Sequence, residues 1–294
     1  MICVALAALG FSIKSILIKL GYGHGVDAPT LMALRMLFSA PFFLVLALWP
    51  GLPGANHQPA LRDWMHLVAL GFIGFYLAAY LDFLGLTYVS AGLERLILFL
   101  YPTLVLLLSV WWLKERIHLR QVVALVLSYA GIGLVFVEHL NTGAARGDVV
   151  HGALLIFASA VVYSVFLIGS SRVVHRFGAV RFTSWGMLVG TVFCVVQFLL
   201  DHGVRALRLP LPVYGIALTM AVISTVLPAV LMSEGVRRVG ANQAALVGTL
   251  GPVVTIVLGA LVLGEPVGVV QCAGAVLVVA GVLMVSLRPA VVRS

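Results

Sequence analysis

The stretch GLTYVSAGLERLILFLYP at residues 85–102 and the stretch GVRRVGANQAALVGTLGP at residues 235–252 decide the fold. Sliding the chain along itself by 150 residues lays Gly85, Val89, Ala91, Leu96, Leu100 and Pro102 on Gly235, Val239, Ala241, Leu246, Leu250 and Pro252. The same register places Glu115, Gln121, Leu127, Ala130 and Gly131 on Glu265, Gln271, Leu277, Ala280 and Gly281. Pro, Glu and Gln are scarce in so apolar a chain, so their coincidence carries more weight than matched Leu or Val. An ungapped register through two hydrophobic runs and the turn between them marks an internal repeat.

The composition says what the repeat is made of. Of 294 residues 62% are hydrophobic and only 10% charged, and the mean hydropathy is +1.16; no ordinary soluble core has that balance. A spanning helix needs about 20 mostly apolar residues. Cutting at charges, Gly and Pro gives runs near 2–20, 29–49, 64–82, 89–111, 118–137, 149–170, 180–200, 211–232, 240–263 and 267–287. This is an all-α membrane protein of ten transmembrane helices. The first run lacks a basic leader and a small-residue cleavage site and reads as a permanent span. The longest connections, Pro50–Asp63 and Glu138–Asp148, are too short for an inserted soluble domain. The net charge of +8 sits in short segments between apolar runs, as expected of anchors facing anionic lipid rather than nucleic acid. Cys3, Cys194 and Cys272 have no metal-site or disulfide spacing and read as small packing residues.

Lys and Arg also orient the chain. With the N-terminus cytoplasmic, the inner segments hold Arg62, Lys114, Arg116, Arg120, Arg172, Arg176, Arg181, Arg237, Arg238, Arg288 and Arg293, and the outer ones only Lys19, Arg146, Arg205 and Arg208. That bias puts both termini in the cytoplasm. Five spans per repeat is an odd number, so the second half, 148–288, enters from the opposite side to the first, 1–140, giving two inverted five-helix repeats of the kind secondary transporters use.

On these residues the chain resembles a family. The run Ala91-Gly-Leu-Glu-Arg through Tyr101-Pro-Thr followed by Leu113-Lys-Glu-Arg, and its counterpart Gly240-Ala-Asn-Gln through Leu250-Gly-Pro followed by Leu263-Gly-Glu-Pro, look like the EamA-type repeats of the drug/metabolite transporter superfamily. The likeness covers essentially the whole chain and is strongest over 85–137 and 235–286. It implies a ten-helix exporter of amino acids, related metabolites, nucleobase-type compounds or drugs in the bacterial cytoplasmic (inner) membrane. Lys14 and Glu94-Arg95 depart from the commoner neutral pattern, which weighs against a generic drug-efflux label; a multidrug or nucleobase/nucleoside-type efflux carrier is the alternative reading.

The remaining charges lie inside spans. Lys14, Arg35, Glu94 and Arg95 each cost about 2.5 to 3.5 kcal/mol at the bilayer centre, so each needs a partner or a purpose. With a rise of about 1.5 Å per residue, all four fall in one layer of the outer half-membrane, with Asp82 near its rim. We expect Lys14 to pair with Glu94 while Arg35 or Arg95 keeps the residual positive charge that receives a substrate carboxylate or phosphate. Glu94 is alternatively the proton-coupling group, and a static ion network or arginines snorkelling to the outer interface is the plainer reading. Tyr80 and Tyr163, whose phenols need partners when buried, join Phe99 and Asn242 as candidate substrate contacts, with Phe11, Tyr76, Tyr101, Trp185, Gln243 and Thr249 around them. Trp49, Trp64, Trp111 and Trp112 stand at span ends as interfacial anchors.

Pro102 and Pro252 occupy equivalent mid-span places and, with Gly248, are candidate hinges. Each proline withholds a backbone donor, from the carbonyls of Leu98 and Gly248, and broken backbone at that depth is tolerated where it lines a cavity. Glu115 and Glu265 are expected to cap or pair across the hairpins that follow, Gln121 and Gln271 to tie those hairpins together, and the Gly186/Gly190 spacing to permit close helix approach. A membrane-embedded enzyme would need a Ser/His or clustered-carboxylate constellation at depth, and direct ATP drive a phosphate loop; the sequence offers neither. The expectation is a secondary transporter, not an enzyme. It uses no cofactor or metal, has a small-molecule substrate and the bilayer as partners, is open to proton coupling, and does not require an oligomer.

Overall fold

A computed structural model describes residues 1–49, 59–113, 118–141, 146–203 and 207–286. Among them run ten helices long and apolar enough to cross a membrane: α1 Ile2–Gly23, α2 Ala28–Leu48, α3 Leu61–Leu86, α4 Ala91–Trp112, α5 Leu119–Leu140, α6 Arg146–Phe177, α7 Ala179–Asp201, α8 Leu211–Val239, α9 Leu246–Leu263 and α10 Val269–Ser286. Every expected run is found. The largest differences are at α6 and α8, which extend past the charged residues used to end them, because an Arg or His in the last turn suits a helix C-terminus rather than stopping it.

Local sequence explains the ends. Asp27 caps α2 by accepting from the Thr30 amide at 3.3 Å, and Ser90 caps α4 by accepting from Leu93 at 3.1 Å, the usual role of these side chains before a helix. Gly178 and Gly240, both at φ 82, reverse the chain between consecutive helices in a single residue. That backbone region is open to glycine at little cost and strained for residues with a Cβ.

Two irregularities repeat with the register of 150 residues seen in the sequence. The middle of α3 widens into a π-helical turn at Phe72–Leu77, and α8 does so at Val222–Val226. The second pair consists of helix breaks. α4 is composed of Ala91–Leu98 and Tyr101–Leu113, and the residues leading into and forming α9 of Ala241–Gly248 and Gly251–Leu263. Pro102 and Pro252 therefore do not bend continuous helices, as expected, but stand in the first turn of a new helix. There the missing amide has no intrahelical partner to lose. The breaks fall one step earlier, at Phe99–Leu100 and Thr249–Leu250, where the amides of Leu100 and Leu250 turn back to Ile97 and Val247 at 3.0 and 3.2 Å.

Packing follows the same exchange. α5 lies against α10 and α2 against α7; α3 packs on α6 as α8 does on α1, and α1 packs on α9 as α6 does on α4. Replacing each helix in these pairings by the one five later returns the same pairings. The α5–α10 seam shows it in detail. A Cβ on Gly274 would stand 2.6 Å from the Gly131 carbonyl oxygen, and one on Gly281 would stand 2.6 Å from that of Ala124; Gly281 and Ala124 are the repeat partners of Gly131 and Gly274. Small residues let these backbones touch, which in lipid supplies packing that the hydrophobic effect does not.

Candidate substrate site

The breaks are held open by serines from the opposite half. Ser12 Oγ on α1 donates to the Gly251 carbonyl at 3.2 Å, sharing its hydrogen with Ala8 at 2.7 Å, and Thr255 Oγ1 returns a bond to the Ser12 carbonyl at 3.2 Å. On the other side Ser164 Oγ on α6 reaches the Tyr101 carbonyl at 3.2 Å and that of Ala160 at 2.7 Å. Gly251 and Tyr101 are repeat partners. The first carbonyl after each break is thus given a donor by the first helix of the other half, as buried backbone in a low-dielectric medium requires.

Charge breaks this symmetry. Lys14, Arg35, Asp82 and Glu94 have Ser164, Trp185, Met232 and Ala244 as repeat partners, none of them ionisable. All the buried charge of the site belongs to one half. Lys14 Nζ lies 2.6 Å from Asp82 Oδ2 and 3.9 Å from Glu94 Oε1. The expected pairing of Lys14 with Glu94 is corrected in this sense: the ammonium bridges both carboxyls and is nearer Asp82. Asp82 is not at a rim, because α3 runs on to Leu86 and the π turn upstream resets which face follows it. Ser15 Oγ takes the other Glu94 oxygen at 2.7 Å. Glu94 is 0% and Asp82 2% exposed. Asp82 Oδ1 and Glu94 Oε1 keep no hydrogen-bond partner among the described residues.

The cations are more open than the carboxyls. Lys14 is 17% exposed at its side chain, and Arg95 is partly buried with its Nη2 against Gly251, where a Cβ would meet it at 3.0 Å. A side chain at Gly251 would push the guanidinium away from the α9 break. Arg35 is 6% exposed, with its Cζ 5.0 Å from the centre of the Phe83 ring, a cation–π contact. Arg35 Nε and Arg95 Nε have no hydrogen-bond partner, and no carboxylate pairs with either guanidinium among the described residues. Neither arginine snorkels out alone; both lack a carboxylate at ion-pair distance among the described residues, while Asp82 acts on Arg35 and Glu94 on Arg95 through space.

Of the aromatic candidates, Phe99 and Tyr163 gather round Tyr101, at ring separations of 6.3 and 5.5 Å. Tyr80 stands apart, stacked on Tyr76 at 6.1 Å, and Tyr76 donates to Gln197 Oε1 at 2.9 Å. The hydroxyls of Tyr80 and Tyr163 have no partner among the described residues. Trp185 packs edge-on against Trp64 at 5.3 Å, near the start of α3, and both border the apolar cluster that Tyr163 also packs against. Helix-level placement holds for Asn242, whose side chain lies outside the described residues. Gly186 and Gly190 both receive Phe75 of α3, an internal contact.

The carboxylate of Glu265 reaches across to the other half, accepting from the amides of Ala91 at 2.8 Å and Gly92 at 3.3 Å, a negative charge on the N-terminus of α4. Its expected role within its own hairpin is corrected accordingly; Glu115 lies outside the described residues. Gln121 caps α5 through the His118 amide at 2.9 Å, and Gln271 is buried against Gly92, so neither ties its hairpin in the way expected.

Residues 1–137 and 150–287 each match the EamA-like transporter family. The chain belongs to that family. Among relatives of this EamA-like transporter, an uncharacterized transporter of Bacillus subtilis, YcbK, is 31% identical over 280 residues, covering 92% of this chain and 88% of that one. A second from the same organism, YyaM, is 29% identical over 271 residues, 90% and 87% of the two chains. A protein of known crystal structure shares the fold at a TM-score of 0.64 over 96% of this chain and 98% of that one, at 18% identity. A transporter family, ten spans and bacterial relatives make this a multi-pass protein of the bacterial inner membrane. Within it, the residues of this cluster that the sequence reading undervalued are Asp82, Ser12, Ser15 and Ser164. Their signal was an Asp at the end of the run 64–82, which is otherwise free of acid, two small hydroxyls flanking Lys14 at helical spacing, and Ser164 at the repeat position of Lys14.

Proposed function

We propose that this EamA-like transporter is a secondary exporter of small carboxylate-bearing solutes, amino acids and close relatives foremost. It works by alternating access between two inverted halves, 1–140 and 148–288, with both termini cytoplasmic. Arg35 carries the reading: a buried guanidinium without a carboxylate is costly, and a solute carboxylate placed in its fork supplies what the protein withholds. Arg95 and Lys14 add positive charge on the same side. Phe99, Tyr101 and Tyr163 offer an apolar wall whose phenols have no hydrogen-bond partner among the described residues, the mixture expected of a small-molecule site. Asn242, at the entry to the α9 break, and Tyr80 complete the proposed contacts. The breaks before Pro102 and Pro252 supply the places where the helices flex, and their serine donors allow carbonyls to change partners without being stranded.

Sealed vesicles containing purified protein and loaded with unlabelled L-amino acids test this. Labelled L-phenylalanine should accumulate transiently by exchange in wild type. Arg35→Gln should lower the initial rate roughly 10- to 100-fold, the loss of a charged hydrogen bond. Equal rates in both proteins would sink the assignment.

A further inference from the structure

Asp82, Glu94 and Lys14 form a cluster with one positive and two negative groups, and the negative groups are the hidden ones. Both carboxyls are closed to solute, while the ammonium of Lys14 and the partly buried Arg95 are the more accessible parts, with Arg35 buried behind them. A solute arriving at this layer meets cations first. Behind them, Asp82 Oδ1 and Glu94 Oε1 each lack a hydrogen-bond partner among the described residues. A proton fits such a place and a solute ammonium does not. The groups facing the pair are Lys14, Lys19 and Tyr22 from α1, Arg35 from α2 and Arg95 from α4, with Glu265 acting on Lys19 from the end of α9.

We infer that the Asp82–Glu94 pair is a proton-binding site whose occupancy moves with the solute, so that the anion and a proton cross together. The inference rests on the carboxylate reading above and fixes the sign of its coupling. An added proton leaves Lys14, Lys19, Arg35 and Arg95 facing a single carboxylate, which strengthens the hold on a solute anion. By reciprocity the anion strengthens the hold on the proton by the same factor. For charges about 10 Å apart at an effective dielectric of about 20, that factor is on the order of tenfold. The cycle balances simply. A solute carboxylate and a proton enter from one face, the proton completing a carboxyl O–H on Asp82 or Glu94, and both leave at the other face. For a monoanion no net charge crosses. Exchange of a proton against the solute, the opposite sign, would require the bound anion to weaken the hold on the proton, against the Coulombic attraction between them.

The test uses the full chain in sealed vesicles with a trapped pH dye and two probes, phenyllactate, an anion without an amine, and L-phenylalanine. Outward flow of phenyllactate should carry protons outward with it, and the vesicle interior should turn alkaline. In Asp82→Asn/Glu94→Gln, exchange of labelled probe should lose the pH dependence that wild type shows, and probe flow should leave the dye unchanged. Wild-type flow with no proton movement, or with protons moving against the probe, overturns the inference while leaving the carboxylate reading standing. Failure of both probes to exchange at all overturns the carboxylate reading and the inference with it. If the double variant does not fold, the wild-type dye signal decides alone.

Discussion

Replacing Lys14 by Met removes the single ammonium between two buried carboxyls while nearly keeping its volume. Asp82 then loses its 2.6 Å partner and Glu94 its contact at 3.9 Å, leaving two acids in a space that admits almost no water. Breaking a buried pair by deleting one partner costs about 3 to 5 kcal/mol, far more than the methylene packing Met restores. In detergent-purified protein this should appear as a Tm lower by roughly 5 to 10 °C. The decisive arm is the second substitution. Asp82→Asn in the Lys14→Met background takes away the charge left stranded, so most of the lost stability should return, and the two changes should be strongly non-additive. A Lys14→Met protein that melts with wild type, or a double variant no better than the single, would refute the reading of Lys14 as the bridge.

The α5–α10 seam makes a simpler prediction: in Gly274→Val the new Cβ would press on the Gly131 carbonyl, 2.6 Å away, and overpacking should cost about 1 to 3 kcal/mol, read as a fall in Tm. Glu265→Ala strips the cap from the first amides of α4 and should cost about 0.5 to 2 kcal/mol, whereas Glu265→Asp, with its shorter reach, should fall between. Reporter fusions at the two ends of the chain should both report the cytoplasm, because basic residues crowd the segments on that side; ends on opposite faces would contradict the inverted arrangement of the halves.

The ten spans, the repeat and the family were legible because the signals behind them are long and redundant. Runs of apolar residues need no partner to be recognised, and Pro102, Glu115 and Gln121 fall on Pro252, Glu265 and Gln271 whatever the tertiary structure. The layer of buried charge was also legible, since helical rise alone sets Lys14, Arg35 and Glu94 at matching depth. Which of them touch was not. Depth fixes height and leaves azimuth free, and azimuth depends on the π turn at Phe72–Leu77, for which FIGFYL has no distinctive residue. The prolines misled for a related reason. A proline ends or starts a helix with equal economy, and only the backbone shows that Pro252 begins one. Glu265 capping α4 was hidden because its partners are main-chain amides 173 and 174 residues away in sequence, and amides leave no mark in a sequence.

Recognition of a carboxylate is the central claim, and competition during exchange tests it most directly. With wild-type protein exchanging labelled L-phenylalanine across vesicles, excess phenyllactate, which keeps the carboxylate and lacks the amine, should compete nearly as well as unlabelled L-phenylalanine. Phenethylamine, which keeps the amine and lacks the carboxylate, should leave the rate unchanged. The reverse order, with the amine competing and the acid inert, would contradict the account.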